Sequence, residues 1–355
     1  MTIQDTDKFL VHRNGTSYYM SALDLKNSMG VTALDGFKTV LYSGNDGTQT
    51  IDVGFKPDLV WTKTRNGPYS HTLIDSVRGT NKILFSNTQD SDATESNNIT
   101  GWTDTGYTVG NSANVNGGYN YVAWCWKAGD SAVTNNDGTI QSTVSANPDL
   151  GFSVVTWTGI GQLGATVGHG LNTKPSIHIY KCRTTTSDWS VSYELTGGFK
   201  QMHLNNTNGE ANISWSAPTD KVFSVGGGNG SGGSGQNYVA YCWAEVEGFS
   251  KFGTYTGNGS SSGPIITTGF KPAWLLIRRT ATIDNNNYAR WKIHDSARDP
   301  INPVVRELEA ETTNSESVST REFDFLEDGF QVKNTNTMYN ASGYTYLYMA
   351  FADNQ

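Results

Sequence analysis

Charged side chains are scarce in this chain, because only 16% of its 355 residues are Asp, Glu, Lys or Arg. That is too few for long solvated helices, whereas the 39 glycines and the many Asn, Ser and Thr residues are typical of short strands joined by turns. The basic residues form no cluster, and the formal net charge is −8. Duplex binding needs clustered Lys and Arg to neutralise phosphates. The composition therefore predicts an all-β protein that does not bind nucleic acid.

Cysteine and histidine are also rare, with three and six residues respectively. Because the chain has no Cys-x-x-Cys pair and its histidines are scattered, we expect no disulfide, no metal site and no cofactor. No apolar run approaches the roughly 20 residues that cross a bilayer, and the N-terminus lacks the basic start and apolar core of a secretory signal. We expect a soluble protein made in the cytosol that does not insert into a membrane.

The chain instead contains three markers that recur in one order at intervals of roughly a hundred residues. The first marker is an aromatic, β-branched opening stretch that runs into a Gly-rich turn, at residues 37–47, 152–161 and 252–259. The second is a Lys-Pro dipeptide before an apolar stretch, at residues 56–57, 174–175 and 271–272. The third is an aromatic closing stretch, at residues 121–126, 238–243 and 346–351.

This interval is the size of one compact β domain, and a chain of 355 residues is expected to divide into several cores. We predict an all-β fold with three tandem β-sandwich repeats, lectin-like or jelly-roll-like, after a short N-terminal docking segment built from a hairpin and a helix. The predicted boundaries are 1–34 for the N-terminal segment and 35–130, 131–248 and 249–355 for the repeats.

Period-two alternation indicates which way the side chains of the repeated strands point. Both faces of the closing stretch are largely apolar, so we predict a central strand that is covered on both sides. Cys125 and Cys242 occupy one position of this strand, where the third repeat has Ala350, so the position requires a small buried side chain. The stretch after each Lys-Pro is predicted to point one face inward, through Leu59 and Trp61 in the first repeat.

An Asp-Ser-x-Arg pattern follows in two of the repeats. It contains Asp75 and Arg78 in the first and Asp295 and Arg298 in the third, whereas the second repeat has residues 193–196 in that place. One interpretation is a carboxylate and guanidinium pair that binds a polar ligand. The alternative is a turn in which Asp accepts backbone N–H bonds and Arg covers it.

A Gly/Asn loop precedes each closing stretch, at residues 110–118, 226–235 and 334–343. Its spacing is irregular and a strand follows it, so it is not a nucleotide-binding fingerprint. Loops clustered at one end of a sandwich commonly carry binding function. We therefore predict a contact surface here, represented by Asn114, Asn229 and Asn336.

An acidic stretch in the third repeat has Glu322, Asp324 and Glu327 in a Glu-x-Asp-x-x-Glu pattern. It resembles the catalytic strand of lectin-fold retaining β-glucanases. In such an enzyme Glu322 and Glu327 would be nucleophile and acid. The corresponding places in the other repeats align Glu327 with a turn instead. We predict that the protein is not an enzyme and has no catalytic residues, with glycan hydrolysis as an alternative.

The N-terminal segment differs from the repeats. A short strand, a tight Asn14-Gly15 turn and a returning strand predict a hairpin, and Ser21 is expected to start a brief helix through Ser28. So small a piece is not stable alone and must dock on something larger. Its predicted docking residues are Phe9, Val11, Tyr18, Tyr19 and Leu23.

The segment 5–18, and the stretches 136–140, 144–148, 151–159 and 168–171, resemble virion structural and tail-fibre-like proteins of marine tailed phages that infect cyanobacteria. The resemblance implies a location on the virion after synthesis in the host cytoplasm, and a function as a tail fibre or receptor-binding component that is attached through its N-terminus. The implied partners are other virion proteins, a host surface glycan and further copies of the chain, with a trimer as one arrangement. A capsid or tail decoration protein is the alternative.

Overall fold

A computed structural model describes residues 8–13, 16–21, 35–195, 197–281 and 289–352. The chain forms two compact units, Met1–Asp35 together with Asn354–Gln355, and Gly36–Asp353. The described residues are nearly all β, in antiparallel sheets with one short helix. The all-β prediction is confirmed.

The smaller unit contains a two-stranded hairpin of β1 (Lys8–Arg13) and β2 (Thr16–Ser21). The strands pair antiparallel, with Arg13 opposite Thr16 and Lys8 opposite Ser21. The predicted hairpin is therefore present. The predicted helix through Ser28 lies outside the described residues.

The larger unit begins with a six-stranded sheet, the first large sheet, in the order β3-β11-β5-β6-β7-β8, and a three-stranded layer in the order β4-β10-β9. The strands are β3 (Phe37–Ser43), β4 (Gln49–Asp52), β5 (Leu59–Thr64), β6 (Thr72–Asp75), β7 (Lys82–Phe85), β8 (Ala93–Thr94), β9 (Ile99–Thr103), β10 (Gly106–Val109) and β11 (Asn120–Trp126).

The second large sheet has eight strands in the order β12-β13-β14-β21-β16-β17-β18-β19, with β15 and β20 paired beside it. The strands are β12 (Val133–Asn135), β13 (Ser142–Asn147), β14 (Phe152–Thr158), β15 (Ala165–Gly168), β16 (Ile177–Cys182), β17 (Ser190–Tyr193), β18 (Lys200–His203), β19 (Ala211–Asn212), β20 (Val222–Val225) and β21 (Asn237–Trp243).

The third large sheet also has eight strands, in the order β22-β29-β24-β25-β26-β27-β28-β23. The elements are β22 (Ser250–Thr256), β23 (Ile265–Thr267), β24 (Pro272–Arg279), β25 (Lys292–Asp295), β26 (Val304–Glu309), β27 (Ser317–Leu326), β28 (Gly329–Val332), the helix α1 (Thr337–Asn340) and β29 (Thr345–Ala352).

The three large sheets share one local strand order, in which the closing strand lies between the opening strand and the strand after Lys-Pro. The register is shared as well, because Trp124 faces Trp61, Tyr241 faces Ile179 and Met349 faces Leu276 across the corresponding pairs. The three sequence markers therefore occupy equivalent places in their sheets.

Buried apolar residues form a separate cluster beside each large sheet, spanning 51–125, 140–244 and 255–352. Ala123 and Cys125 of the closing strand point into the first of these, as Ala240 and Cys242 point into the second. Burial raises the pKa of the Cys125 and Cys242 thiols. The prediction of a small buried side chain at this position is confirmed.

The opposite face of the closing strands joins the large sheets to one another. The Trp126 ring lies 5.9 Å from Trp243, 5.5 Å from Trp274 and 5.8 Å from Phe351, measured between ring centroids. Closing strands are thus covered on both faces, as predicted. The strand after Lys-Pro was predicted to point only one face inward, and that is wrong, because all residues of β5, β16 and β24 are buried. A neighbouring sheet covers the second face.

Backbone hydrogen bonds repeat where the large sheets meet. Asp92 N–H donates to the Arg183 carbonyl at 2.9 Å, Glu210 N–H to the Thr280 carbonyl at 2.7 Å, and Glu316 N–H to the Arg65 carbonyl at 2.7 Å. The three accepting residues each follow the strand after Lys-Pro directly. The first large sheet thus contacts the second, the second contacts the third, and the third contacts the first. The three sheets form a closed ring.

Candidate binding surface and buried charge clusters

The first Asp-Ser-x-Arg motif lies at the junction of the first and second large sheets. The side chains of Asp75 and Arg78 are both fully buried and form an ion pair of 2.5 Å. Asp75 also accepts the Arg78 backbone N–H at 2.8 Å, and Tyr241 from the second sheet donates its hydroxyl to Asp75 at 2.9 Å. Burial alone would lower the pKa of Arg78, but Asp75, Tyr241 and Asp92 raise it above its ordinary value.

The second motif has the same geometry at the junction of the third and first sheets. Arg298 Nε lies 2.6 Å from Asp295, and both side chains are fully buried. Trp124 of the first sheet donates its indole N–H to Asp295 at 3.0 Å, and the Arg298 guanidinium lies 5.7 Å from the centre of the Trp124 ring. Each motif therefore binds an aromatic side chain of the neighbouring closing strand.

Each motif arginine also holds a carboxylate that reaches across its junction. Arg78 binds Asp92 at 3.0 Å, and Asp92 binds Arg183 of the second sheet at 2.8 Å. Arg298 binds Glu316 at 3.2 Å, and Glu316 binds Arg65 of the first sheet at 2.9 Å.

At the remaining junction Tyr193 replaces the motif aspartate, since it stands opposite Ile177 as Asp75 stands opposite Leu59. Its hydroxyl donates to Glu210 at 2.6 Å.

Both Asp-Ser-x-Arg motifs have the geometry of the turn interpretation, in which Asp accepts a backbone N–H and Arg covers it. A ligand-binding role for Asp75, Arg78, Asp295 and Arg298 stays a prediction, and the structure gives all four a part in joining the sheets.

The Gly/Asn loops are tied to the scaffold by two buried asparagines. Asn116 donates to the carbonyls of Gly47 and Gly110 at 3.0 and 2.9 Å. Asn340 donates in the same way to the carbonyls of Ser260 and Asn334 at 2.7 and 2.8 Å. These residues link the first and the third of the three loops to the turn after the opening strand.

The predicted contact residues lie on these anchored loops. Asn229 and Asn336 are exposed and Asn114 is half-buried. Asn229 contributes a backbone carbonyl that accepts the Tyr238 hydroxyl at 3.0 Å, and Asn336 caps α1 by accepting the Met338 N–H at 3.0 Å. Their binding role stays a prediction.

The predicted docking residues fall on the hairpin, apart from Leu23, which lies outside the described residues. Phe9 and Val11 are in β1, and Tyr18 and Tyr19 are in β2. Tyr19 is 70% exposed and stands directly opposite Leu10, which is 59% exposed. The docking role stays a prediction, and Leu10 is an exposed apolar residue that the sequence reasoning missed.

The acidic stretch of the third sheet does not bring its carboxylates into one environment. Glu322 in β27 is buried, and burial raises its pKa to about 7. Glu327 lies in the two-residue turn between β27 and β28, where its exposed side chain pairs with Lys271 at 2.9 Å. Leu326 pairs with Gly329 across this turn. The alignment of Glu327 with a turn is therefore confirmed.

A second buried cluster surrounds His294. Lys292 Nζ lies 2.7 Å from both Glu307 and Glu309, Tyr339 donates its hydroxyl to Glu307, and His294 Nε2 lies 3.2 Å from the Tyr339 hydroxyl. Burial lowers the pKa of His294 to about 3, so the imidazole is neutral at pH 7. Across the described residues, no group of three or more His, Cys, Asp or Glu side chains is placed to hold a metal ion.

Two open polar depressions lie at equivalent places on the surface. The first, called the Arg65 depression, has a volume of about 290 Å³ and is lined by Arg65, Asn66, Asn120, Ser315 and Glu316. The second, called the Arg183 depression, has a volume of about 320 Å³, and its lining includes Gln141, Thr143, Trp157, Thr158, Arg183 and Asn237.

The equivalence of the depressions rests on identical local bonding. Arg65 N–H donates to the Asn120 carbonyl and Arg183 N–H to the Asn237 carbonyl, both at 2.7 Å. Sequence reasoning missed these four residues. The signal was available, since the arginine follows the strand after Lys-Pro and the asparagine begins the closing strand in both repeats.

The fold and surface define a class of nearly all-β protein in which buried charge clusters join the sheets and polar depressions face outward. The chain belongs to the family described as Domain of unknown function (DUF7483), whose model matches residues 33–355. No curated protein matches the chain. Within the described residues, no helix has the length and apolarity needed to span a membrane.

Proposed function

We propose that this protein is a non-enzymatic virion structural protein of a tailed phage, a tail fibre or receptor-binding component that contacts the host surface. In this proposal the N-terminal segment attaches it to other virion proteins. The larger unit consists of three tandem β-sandwich modules, lectin-like or jelly-roll-like, that present loops and depressions to a host glycan.

Repeated internal contacts support the modular part of the proposal. An aromatic residue of each opening strand stacks on the first tyrosine of the closing strand, with centroid distances of 5.1 Å for Tyr42 on Tyr121, 5.1 Å for Trp157 on Tyr238 and 5.0 Å for Tyr255 on Tyr346. Each of these tyrosines also donates its hydroxyl to a carbonyl of its Gly/Asn loop. Three copies of one module account for both patterns.

The observation that carries the binding part is the recurrence of one polar depression at equivalent surface positions. In each Asp-Ser-x-Arg motif, and in the His294 cluster, the polar and charged groups bind one another inside the protein. Arg65 and Arg183 also pair with Glu316 and Asp92, but together with Asn120 and Asn237 they line open depressions. Polar groups held on rigid elements at a surface are suited to recognising a ligand.

The hairpin supports attachment through the N-terminal segment. Two strands alone are at best marginally stable in water, and Leu10 and Tyr19 form an exposed apolar cross-strand pair. A partner protein that covers this pair would stabilise the hairpin by burying apolar surface.

Location on the particle tests the proposal most directly. We expect a gold label on the C-terminus of the full-length protein to mark the tail in electron micrographs of purified virions. Deletion of residues 1–34 should remove the label, with a Lys8→Ala variant as the control that keeps it. A label on the capsid would support the decoration role instead, and no label on virions would refute the proposal.

A further inference from the structure

We infer that the Arg65 and Arg183 depressions are two copies of one saccharide-binding site, an inference that rests on the proposed adhesion function and names its ligand class. The third repeat retains the scaffold around this place but lacks the side chains that would bind the sugar.

The Arg183 depression presents hydrogen-bond donors that are already oriented. Asp92 accepts from Arg183 Nε at 2.8 Å, and Asp92 is itself held by Arg78 at 3.0 Å. Among the described residues neither terminal nitrogen of Arg183 has a hydrogen-bond partner, so both are available to a ligand. A guanidinium fixed in this way loses little conformational entropy when a ligand binds.

The asparagine of the same depression is oriented by a hydroxyl. Thr158 donates to Asn237 Oδ1 at 2.8 Å, and the other amide atom, Nδ2, is a hydrogen-bond donor. Within the part of the chain that the structure describes, this Nδ2 makes no hydrogen bond. The hydroxyls of Thr143 and Thr158 line the depression beside this amide, whereas the Trp157 ring points away from it into the buried core of the second sheet.

The Arg65 depression repeats the held arginine and the oriented asparagine of the Arg183 depression. Ser43 donates to Asn120 Oδ1 at 3.1 Å, as Thr158 does to Asn237, and Arg65 is held by Glu316 through bonds of 3.0 and 2.9 Å. In the third repeat, Thr280 and Thr345 stand where the other repeats have the arginine and the asparagine, and Thr280 N–H donates to the Thr345 carbonyl at 2.9 Å. The third repeat therefore keeps this backbone hydrogen bond but has neither the guanidinium nor the side-chain amide.

Charge and size favour a saccharide over an anion. Arg78 and Arg183 are balanced by Asp75 and Asp92, so the site has no excess positive charge for a phosphate. Its remaining groups are amides and hydroxyls, which match sugar hydroxyls because these both donate and accept hydrogen bonds. Volumes of about 290 and 320 Å³ are at the lower end for small-molecule sites and suit a single sugar ring.

The test uses full-length protein on a printed array of hexose, hexosamine and uronic acid glycans, followed by titration calorimetry with the best-bound glycan. The double variant Asn120→Asp/Asn237→Asp keeps the volume and the acceptor for Ser43 and Thr158 but removes the Nδ2 donors. We expect it to bind at least ten times more weakly than the wild type. The control Asn111→Asp, at an exposed asparagine that accepts from Asn97 at 3.0 Å outside both depressions, should bind normally.

Folding is checked by circular dichroism and the unfolding midpoint of each variant, and the single variant Asn237→Asp provides a milder change. Wild-type protein that binds no glycan on the array would overturn the inference, as would equal binding by wild type and a folded double variant. Host-cell adsorption separates this from the proposed function. Adsorption that is unchanged in the double variant overturns only the saccharide sites, whereas no adsorption by wild-type protein counts against adhesion itself.

Discussion

Asp75 and Arg78 illustrate how this protein retains charge in its interior. Each is fully buried, yet each has several partners, because the Tyr241 hydroxyl bonds both residues and Asp92 pairs with Arg78. A buried ion pair is tolerated when its remaining donors and acceptors are satisfied, but removal of one partner leaves an uncompensated charge. The pair is therefore expected to matter more for joining the sheets than an exposed pair would.

Replacement of Arg78 by Met tests this at the residue scale. We expect Arg78→Met to lower the free energy of unfolding by about 3–5 kcal/mol, because Asp75 and Asp92 lose a buried cation. Urea unfolding of the full-length protein measures the change. The control Lys174→Met removes the exposed pair with Glu194 and should cost less than about 1 kcal/mol. A loss for Arg78→Met as small as that of the control would contradict the structural role.

Glu311 gives a pH-dependent prediction. Its side chain is 4% exposed, and burial raises its pKa from 4.5 to about 7. As the pH rises, the unfolded chain releases this proton before the folded protein does, so the contribution of Glu311 to stability is full below pH 4.5 and is lost as the pH passes 7.

The variant Glu311→Gln removes this titration. Its unfolding free energy, relative to wild type, should increase between pH 5 and pH 8 by on the order of 2–3 kcal/mol. Urea unfolding at several pH values measures the difference, in which contributions from other titrating groups cancel. Gln162→Ala, at an exposed loop position, should follow the wild type. A difference between Glu311→Gln and wild type that stays constant with pH would refute the prediction.

Loops and strands are joined at the element scale by side-chain hydrogen bonds. Asn116 is fully buried and ties its Gly/Asn loop to the turn after β3, so the loop is anchored although its composition is that of a flexible linker. Asn340 does the same in the third sheet. This explains how loops rich in glycine and asparagine can still present a defined surface.

Replacement of Asn116 by Ala tests the anchoring. We expect Asn116→Ala to cost about 1–3 kcal/mol, because it leaves the Gly47 and Gly110 carbonyls without their donor, and to speed amide hydrogen exchange in residues 110–118. Asn114→Ala, two residues earlier on the same loop, should change stability by less than about 0.5 kcal/mol. Equal exchange rates in the two variants would show that Asn116 does not hold the loop.

At the scale of the whole molecule, the shared aromatic centre makes the three large sheets depend on one another. Trp126 contacts rings from both other sheets, and the junction hydrogen bonds form a closed ring. Removal of any sheet would expose large buried side chains of the remaining two, which costs free energy in proportion to the apolar area exposed.

We therefore expect residues 36–353 to unfold as one cooperative unit. Tryptophan fluorescence and far-ultraviolet circular dichroism should give coincident urea transitions for the full-length protein. Trp243→Ala, in the second sheet, should lower the stability by about 3–5 kcal/mol and shift both signals together. Two or three separate transitions, or a shift confined to one of them, would show that the sheets unfold independently.

Local patterns in the sequence were enough to predict the all-β class, the three recurring markers and the burial of the closing strand on both faces. These features depend on local propensity and period-two alternation, which each stretch carries in its own residues. The small residue at Cys125, Cys242 and Ala350 and the turn at Glu327 could be read in the same way.

What covers the second face of β5, β16 and β24, and which residues meet at the junctions, depends on how the sheets pack and could not be predicted from the sequence. Arg65 and Glu316 are 251 positions apart, and Asp75 and Tyr241 are 166 apart, so no local pattern relates them. The partners of a buried charge depend on how whole sheets close into a ring. For that reason, the placement of Asp-Ser-x-Arg inside and of Arg65 and Arg183 at the surface follows from the packing of the sheets.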